Sequence, residues 1–448
     1  IACRKNNRVP PMSRSDPSRS TAGSIAAQFT PAKRYYVLAV LTCGYVLNFV
    51  DRQVMTILLE PIKAEFNASD TQMGLISGLA FALFYATLGV PVARLADRWS
   101  RRNVLSISMA TWSAVTAACG LAASFWQLAL LRVGVGVGEA GGTPPSQSLI
   151  TDYFPPEQRT FAQGILATAP NIGILVGLFG GALIAEAYGW RTVFIAFGIP
   201  GIFLAILLYF TVAEPVKPKP LVEDNDNLWQ SMKRIATIPS FIFIALGVGF
   251  AAIPGYGIGV WSPSLLVRVH GMSLVEAGMW LGIIGIIGGS FGNIFSGWLV
   301  DKLARRDKRW QLWVPAMGLL IAIPLQALFV MWPESSTFKI GSTTLPTALI
   351  FMGLAAVVAV FWVAPSYAAV QNLVPDHLRT QASAVLLLVF NLLGLGLGPL
   401  SVGVLSDAFS DFGVYSVRWA LLITLSLGFV AAICYAKAAG RYRNTVEN

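Results

Sequence analysis

The sequence predicts an all-α membrane protein in which twelve transmembrane helices form two pseudo-symmetric bundles of six. Three observations support this prediction. Hydrophobic residues make up 55% of the 448 residues and charged residues only 12%, which is about half the charged fraction of a typical soluble domain. Apolar runs of about 20 residues, long enough to cross a bilayer as a helix, recur along the chain. Lys and Arg are concentrated in alternate connections between those runs.

The N-terminal half is divided by its apolar runs. Residues 1–33 are polar and basic and lack the apolar core of a signal peptide, so we interpret them as a cytoplasmic tail. The N-terminal bundle, residues 34–213, is predicted to contain six spans, at 34–60, 71–97, 102–123, 125–149, 159–187 and 191–213. Residues 214–238 are polar and rich in proline, and we interpret them as a cytoplasmic linker between the halves.

The C-terminal bundle, residues 239–437, repeats this plan, and residues 438–448 are interpreted as a second cytoplasmic tail. Its spans are predicted at 239–267, 274–300, 311–332, 344–371, 379–406 and 416–437. With both termini in the cytoplasm, most of the 32 Lys and Arg residues lie in inside connections. Those predicted outside are Lys63, Arg191, Arg268, Lys339 and Arg418. We therefore expect a multi-pass protein, of the inner (plasma) membrane in a bacterium.

Several function classes are excluded by composition. The net charge of +10 follows from the basic inside connections, so no nucleic-acid partner is expected. The four cysteines are scattered without a CxxC pair, which argues against a metal site. No Gly-Lys pair forms a phosphate-binding loop. His270 and His377 have no nucleophile motif nearby. We expect neither an enzyme nor a cofactor.

Two short patterns occur at matching places in both halves. ARLADRWSRR at 93–102 corresponds to GWLVDKLARR at 297–306, each between the second and third spans of its half. FPPEQRT at 154–160 corresponds to LVPDHLRT at 373–380, each between the fourth and fifth spans. Parallel six-helix repeats with a substrate site at their interface are a known transporter plan. The first pattern resembles the signature of the major facilitator superfamily, which implies the major facilitator fold.

The N-terminal half carries motifs that narrow this resemblance. RVGVGVGEAGGTPPSQSLITDYFP at 132–155 resembles the fourth-span motif of proton-coupled members. Together with NFVDRQV at 48–54 and GLISGLAFALFYATLGVPVARLADRWSRR at 74–102, it is similar to the spinster family. That resemblance implies a proton-linked exporter of lysolipids, which in animals include sphingosine phosphate. The expected partners are a lipid or amphiphilic substrate, protons and membrane lipid, and we expect a monomer.

Four charged residues lie inside predicted spans. Asp51 and Arg52 are adjacent in the first span, and Arg132 and Glu139 are seven residues apart in the fourth. At 1.5 Å per residue, Asp51 lies about 14 Å from the outer end of its span, Arg132 about 10 Å and Glu139 about 21 Å. Because residues seven apart share a helix face, the two acids and two bases are predicted to form one cluster.

Charges inside a bilayer cost several kcal/mol and by default indicate function. We hypothesise that Asp51 and Glu139 carry the coupled proton, while Arg52 and Arg132 compete for these acids and for an anionic substrate headgroup. The alternative is a static salt-bridge network that holds the N-terminal bundle together. The matching segment of the seventh span, GYGIGVWSP, has serine and proline where the first span has its charged pair. The fold itself therefore does not require the charges.

Two further groups of residues have predicted roles. The charged residues of the repeated loop are predicted to form an inner gate, with solvated loop charge as the alternative; they are Asp97, Arg101, Arg102, Asp301, Arg305 and Arg306. Aromatic residues of both halves are predicted to line an amphiphile cavity, with core or lipid-facing packing as the alternative; they are Phe81, Phe84, Tyr85, Trp261, Phe361, Trp362 and Tyr367.

Glycine-rich segments recur inside the spans. The glycines of RVGVGVGEAGG at 132–142 are interpreted as points of close helix packing. GLFGG at 177–181 and GLGLGP at 394–399 resemble degenerate antiporter motifs, and they also suit points at which rocking helices bend.

The sequence as a whole predicts a proton-coupled secondary active transporter of a lysolipid or related amphiphile that works by alternating access. The runner-up is a proton-coupled antiporter of drugs or small organic ions, which a polar cavity in the C-terminal half would favour. A passive channel or scramblase is a third possibility, and it would show flux without proton coupling. A membrane enzyme would need catalytic residues near an interface.

Overall fold

A computed structural model describes residues 28–215, 235, 237–375 and 378–446. The described chain forms twelve spans in two bundles, which confirms the predicted fold class. Ten helices are long and apolar enough to cross a membrane. The other two are the third span, Arg101–Cys119, and the fourth, which is divided into Phe125–Glu139 and Thr143–Tyr153. The predicted tail at 1–33 and linker at 214–238 fall largely outside the described residues.

The N-terminal bundle contains the first six spans. The first is Pro31–Ile57, and a short helix, Leu59–Phe66, follows it. The third and fourth spans are given above, and three others complete the bundle. The second span comprises Asp70–Gly74, a π-helical turn Leu75–Leu79 and Ala80–Arg98. The fifth comprises Pro156–Leu166, Ala169–Leu175, a π-helical turn Val176–Gly180 and Gly181–Tyr188, and the sixth is Trp190–Thr211.

The C-terminal bundle contains the last six spans. The seventh to ninth are Pro239–Arg268, Leu274–Ala304 and Trp310–Met331. The tenth comprises Ala348–Val358 and Val363–Leu373. The eleventh comprises Arg379–Val389, a π-helical turn Phe390–Leu397 and Gly398–Ala408. A 3₁₀ turn, Ser410–Tyr415, leads into the twelfth span, Ser416–Val446.

Two boundaries differ from the predicted ones. The tenth span was expected to begin at residue 344, but Thr337–Ile340 and Thr343–Pro346 pair as an antiparallel hairpin before it. Apolar character alone does not separate a short strand from the start of a helix. The twelfth span continues to Val446 rather than ending at 437, because helix formation does not stop where the hydrophobic run does.

Polar caps begin several of the helices. The Ser100 and Ser124 hydroxyls accept hydrogen bonds from the backbone N–H three residues later. Ser69 and Ser273 form complete capping boxes, each with the side chain of the residue three positions on. Such caps satisfy N–H groups that the helix itself leaves free. Gly189, with a φ of 83°, makes the tight turn between the fifth and sixth spans.

The connections between spans lie on two opposite sides of the molecule, which we call the terminal side and the distal side. The terminal side holds the ends of the described chain and the described breaks between spans at residues 99–100, 154–155, 212–215, 237–238, 305–309 and 374–375. The distal side holds the connections near residues 58–69, 120–124, 189, 269–273, 332–347 and 409–415. An even number of spans places both chain ends on one side.

The halves meet along the second and eleventh spans and along the fifth and eighth. A Cβ built on Gly74 would lie 2.5 Å from the Pro399 carbonyl oxygen. A Cβ built on Gly278 would lie 2.5 Å from the Leu178 carbonyl oxygen. These backbones are too close for any larger residue, so glycine is what allows the halves to touch. The π-helical turns of the fifth and eleventh spans coincide with GLFGG and GLGLGP, where bending was anticipated.

Candidate transport site

The four buried charges form two ion pairs. Arg132 Nη1 donates to Asp51 Oδ2 at 2.9 Å. The Thr116 hydroxyl of the third span donates to Asp51 Oδ1 at 2.6 Å. Arg52 donates to Glu139 Oε2 through Nε at 2.9 Å, and its Nη2 lies 2.8 Å from the same oxygen. The structure thus brings all four residues together and adds Thr116, which nothing in its apolar stretch of sequence singled out.

The two pairs face different surroundings. Successive residues of a helix point about 100° apart, so Asp51 faces the third and fourth spans while Arg52 faces the centre of the molecule. The side chain of Asp51 is 4% exposed and that of Arg52 is 14% exposed. One pair is therefore internal to the N-terminal bundle, and the other lies at its inner wall.

Aromatic rings enclose the Arg52 guanidinium. Its Cζ lies 4.5 Å from the centroid of Tyr85, 5.1 Å from that of Phe81 and 5.2 Å from that of Phe49. Phe81 also lies 5.5 Å from Arg132 Cζ, so one ring contacts both arginines. Contact with ring faces stabilises a cation that has lost its water. The rings and the Glu139 carboxylate together hold Arg52 in place at the wall.

Each ion pair has hydrogen-bonding capacity that the described structure does not use. Glu139 Oε1 and Arg132 Nε are buried without a hydrogen-bond partner among the described residues. Buried polar atoms are seldom left in this state, and exceptions concentrate where an ion, water or proton is handled. Glu139 Oε1 is free to hold a proton, and Arg132 Nε is free to donate to another acceptor.

A cavity of about 420 Å³ lies between the two bundles. Arg52 and Gln53 contribute to its N-terminal wall, and Tyr256, Gln326 and Trp362 to its C-terminal wall. Most of the remaining lining is aliphatic or aromatic, and the described lining of the C-terminal wall contains no charged side chain. The site is an apolar chamber with positive charge at one wall.

The predicted cavity aromatics fall in several places. Phe81 and Trp362 line the cavity, and Tyr85 contacts Arg52 as described above. Trp261 does not line it, because this fully buried indole donates from Nε1 to the Pro399 carbonyl oxygen at 2.9 Å. Tyr256, five residues earlier on the seventh span and on a different face of that helix, lines the cavity instead.

The remaining three predicted aromatics do not line the cavity either. Phe361 packs with Val300 and Val314 in a small separate core, because the break in the tenth span turns it away from Trp362. Tyr367 packs against the terminal-side core of the C-terminal bundle. Phe84 is half-buried on the second span. The aromatic residues alone did not indicate which face of each helix points towards the cavity.

Comparison with known proteins identifies the family. The family model described as Major Facilitator Superfamily matches residues 41–399. The chain belongs to the Major Facilitator Superfamily. Its fold and transporter character, predicted from the repeated loop and the span pattern, are thereby confirmed.

Individual members of the superfamily resemble the chain over most of its length. An "MFS-type efflux pump" of Mycolicibacterium smegmatis is 35% identical, with 93% of this chain and 95% of that protein covered. "Protein spinster homolog 1" of Homo sapiens is 27% identical, with 84% and 74% covered. A solved bacterial homologue of the human lysosomal transporter spinster, inward-facing and unoccupied, is 31% identical with a TM-score of 0.82, covering 93% of this chain and 99% of that one. The resemblance to spinster proteins is confirmed.

On the terminal side, the first copy of the superfamily loop is held within its own half. Arg101 Nη1 donates to Asp152 Oδ2 at 2.9 Å, at the end of the fourth span. The backbone N–H groups of Arg101 and Arg102 donate to the Glu214 carboxylate, which follows the sixth span. Arg102 also lies over the Tyr209 ring. Asp152 and Glu214 were not anticipated as partners.

The other predicted gate residues make fewer contacts that can be described. Asp301, Arg305 and Arg306 are exposed at the end of the eighth span. The side chain of Asp97 is outside the described residues. The structure places the two copies of the loop at equivalent ends of the second and eighth spans, as the repeat predicted.

On the distal side, one arginine connects the halves of this superfamily member. Arg268, at the end of the seventh span, donates from Nε to the Glu60 carboxylate at 2.9 Å. Its Nη1 and Nη2 donate to Asp70 Oδ2 and Oδ1 at 2.8 and 2.7 Å. Asp70 also accepts from Lys63 Nζ at 2.6 Å.

The eleventh span completes this connection. The Asp407 carboxylate accepts from the backbone N–H groups of Asp70 and Thr71 at 3.0 and 2.8 Å. It therefore caps the second span from the opposite half. The Ser406 hydroxyl donates to Asp70 Oδ2 at 2.6 Å. We call these residues the distal latch: Glu60, Lys63, Asp70, Arg268, Ser406 and Asp407. The sequence showed only scattered charges near span ends.

Two titratable groups near the latch make no contact between the halves that the described structure shows. Arg191 binds Glu65, and the Trp190 indole donates to Glu65 Oε2 at 2.6 Å. Hydrogen bonds from Arg191 and Trp190 hold the pKa of Glu65 below its usual range. In the C-terminal half, burial lowers the pKa of His270 to about 4, so this histidine is neutral at physiological pH.

The glycines of the fourth span make the close contacts that were predicted from the glycine-rich motif. A Cβ built on Gly138 would lie 2.7 Å from the Trp112 backbone nitrogen, and one built on Gly136 would lie 2.5 Å from the Phe81 carbonyl oxygen. Backbone cannot move aside as a flexible side chain can. Close packing here holds Glu139 and Arg132 against the first span.

Gly138→Val is accordingly expected to destabilise the protein by about 1–3 kcal/mol, because the added methyl groups force the third and fourth spans apart. Gly164→Ala is the matched control, since a Cβ at Gly164 would meet nothing within 4 Å. Thermal unfolding in detergent micelles compares the two. Equal unfolding temperatures for both variants would contradict the packing role.

Proposed function

We propose that the chain is a proton-coupled secondary active transporter of a lysolipid or related amphiphile that works by alternating access. Asp51 and Glu139 exchange the coupled proton, and Arg52 and Arg132 bind the anionic headgroup. The observation that carries the proposal is the pairing of two buried acids with two arginines at the wall of an otherwise apolar cavity between the halves. Intramembrane charge of this kind is typical of ion and proton pathways.

Coupling follows from competition for Arg52. An anionic headgroup that enters the cavity offers a planar pair of oxygens, which the guanidinium fork binds in two places. Arg52 then leaves Glu139, whose side chain is fully buried. A buried carboxylate without a counter-ion takes up a proton. Substrate binding and proton binding are thereby linked at one residue.

An amphiphile suits the rest of the cavity. The described lining of the C-terminal wall is uncharged and rich in apolar groups, so it accommodates an acyl chain without desolvating a charge. At the other wall, Arg52 is backed by three aromatic rings. Its guanidinium supplies the positively charged hydrogen-bond donors that a phosphate-bearing headgroup needs. The choice of a lysolipid within this class rests on the resemblance to spinster proteins, which two of the relatives bear in their names.

Alternating access assigns roles to the two sides. The distal latch closes the distal side, and the terminal-side loops, with Asp97, Arg101, Arg102, Asp301, Arg305 and Arg306, close the other side in the opposite state. The terminal side is the cytoplasmic side, because the basic residues are concentrated there. In a bacterium the protein then works in the inner membrane, as a monomer.

The second candidate is a proton-coupled antiporter of drugs or small organic ions. One observation favours it: the relative that is 35% identical bears the name "MFS-type efflux pump". A cationic drug would contact Glu139 or the aromatic rings instead of Arg52. Competition between a lysolipid and such a cation in the assay below separates the candidates.

Asp51→Asn and Glu139→Gln are each expected to reduce pH-driven lysolipid flux in proteoliposomes by about 100-fold. Each replaces a carboxyl group with an amide that cannot carry a proton, and losing a proton-transfer group has effects of this size. Wild-type flux should require the pH gradient. The matched control is Asp411→Asn, which removes an exposed acid on the distal side. Equal flux with and without the gradient, unchanged in both variants, would make the charges structural and favour a channel or scramblase.

A further inference from the structure

The ninth span contains a polar side chain far from its terminal-side end. In Trp310–Met331, Gln326 is the one amide, hydroxyl or charged side chain beyond the first turn. Polar groups inside a span cost free energy in lipid, and they usually persist because they bind a neighbouring helix or take part in function. The surroundings of Gln326 decide between these two roles.

The contacts of Gln326 do not support a role as a link between helices. Gln326 is 9% exposed, and its amide makes no hydrogen bond to any of the residues that the structure describes. It lines the central cavity between the two halves. Before a substrate enters, water can pair with this amide. A substrate that displaces the water must offer a polar group in its place or leave the amide unpaired.

The other polar side chains of the C-terminal wall are less suited to bind a ligand. The Ser262 hydroxyl donates to a backbone carbonyl oxygen of its own helix at 2.6 Å. Tyr256 is half-buried, and its ring and that of Trp362 both pack against Phe390. The indole of Trp362 can only donate. Gln326 is therefore the deeply buried side chain of the described C-terminal wall that offers both a donor and an acceptor to a ligand.

The wall is open beside this amide. Gln326 also borders a small side pocket, together with Gly255 and Ala359, which line the cavity as well. A Cβ built on Gly255 would meet nothing within 4 Å. Glycine weakens a helix relative to alanine, and no close contact requires it here, in contrast to Gly278 at the interface of the halves. The bare backbone leaves room for a substrate group next to the Gln326 amide.

We propose that Gln326 binds the free backbone hydroxyl of a lysolipid and thereby selects lipids with a single acyl chain. This inference rests on the substrate class and the headgroup site of the proposed function. The carboxamide has a donor and an acceptor, and a hydroxyl also has both, whereas the ester that replaces it in a diacyl lipid only accepts. Arg52 and Gln326 line opposite walls of one cavity. The N-terminal half thus binds the phosphate and the C-terminal half binds the hydroxyl.

Selectivity arises when the substrate displaces water. A lysolipid replaces the lost water with its own hydroxyl, so Gln326 stays paired. An analogue that lacks the hydroxyl leaves the buried amide without a partner, and unpaired polar groups are what make a site of this kind reject such analogues. Removal of the amide should therefore abolish the discrimination and leave the binding of the analogue unaffected.

The test measures binding to the full chain in lipid nanodiscs by displacement of a fluorescent lysolipid. The two probes are a monoacyl glycerol phosphate and its 2-deoxy analogue, which share the phosphate, the ester and the chain. Wild type should bind the hydroxyl-bearing probe about tenfold more tightly than the analogue. Gln326→Met should weaken binding of that probe about tenfold and leave binding of the analogue within about twofold. Gln147→Met, which replaces an exposed amide on the fourth span, is the matched control and should keep the preference.

Equal binding of the two probes to wild type, or a preference that persists in Gln326→Met, would overturn the inference. Loss of both probes in Gln326→Met would overturn it too, because that result would show that the residue supports the fold of the site. Binding needs no pH gradient. A wild type that prefers the hydroxyl-bearing probe but shows no pH-driven flux would therefore disprove proton coupling while the role of Gln326 stands.

Discussion

Arg132→Met is expected to lower the free energy of unfolding by about 3–5 kcal/mol, because it leaves a buried carboxylate without its counter-ion. Arg132 Nη1 lies 2.9 Å from Asp51 Oδ2, and the side chains are 2% and 4% exposed. Water cannot replace the lost guanidinium at that depth. Asp51 must then take up a proton or draw the helices apart, and either response costs stability. Unfolding in detergent micelles, followed by circular dichroism, measures the loss.

Two further variants show whether the charge itself is responsible. The double variant Asp51→Leu with Arg132→Met removes both charges, and it should recover most of the lost stability, since apolar packing often replaces a buried ion pair without loss. Arg191→Met breaks an ion pair whose side chains are 35% and 44% exposed, so it should cost about 1 kcal/mol or less. Similar losses in all three variants would contradict this account of the buried pair.

Arg268→Met is expected to open the distal side. Arg268 donates to both Glu60 and Asp70, and so it supplies the charge that joins the seventh span to the N-terminal half. A hydrogen bond to a charged group contributes about 1.5–3 kcal/mol. Losing several of them moves the equilibrium between distal-closed and distal-open states by about tenfold or more.

Labelling of a cysteine in the cavity measures this opening. Ser262 lines the cavity and is 1% exposed; it lies about 9 Å along the helix from Arg268. In a chain whose native cysteines are replaced, Ser262→Cys should react about tenfold faster with an impermeant maleimide on the distal side once Arg268→Met is added. Arg191→Met is again the control, because its partner Glu65 is in the same half. Equal rates for both arginine variants would show that the latch does not hold the halves together.

Local sequence was sufficient for the spans and for the presence of the charge cluster. Hydropathy predicted the number of spans, and the repeated loops predicted that the two halves are parallel six-helix repeats. Depth along each helix placed Asp51 between Arg132 and Glu139. These properties depend on distance along the chain and on helical rise, which are the same in any environment. The hairpin before the tenth span and the last helical turns of the twelfth were not predicted, because apolar character is a weak guide to the boundaries of helices and strands.

The tertiary structure decided which groups meet. It paired Asp51 with Arg132 and Arg52 with Glu139. The sequence predicted one cluster of two acids and two arginines but did not say which acid binds which arginine. It added Thr116 to the site and turned Trp261 away from the cavity.

The distal latch is the clearest case of a feature that only the fold could supply. Asp70 and Asp407 are 337 residues apart, yet the backbone of one donates to the carboxylate of the other. Sequence determines how deep a side chain lies in its helix and how polar its neighbours along the chain are. The rotation of each helix, and the approach of one half to the other, depend on how all the spans pack together, so the partners across helices are fixed only when the whole bundle has formed.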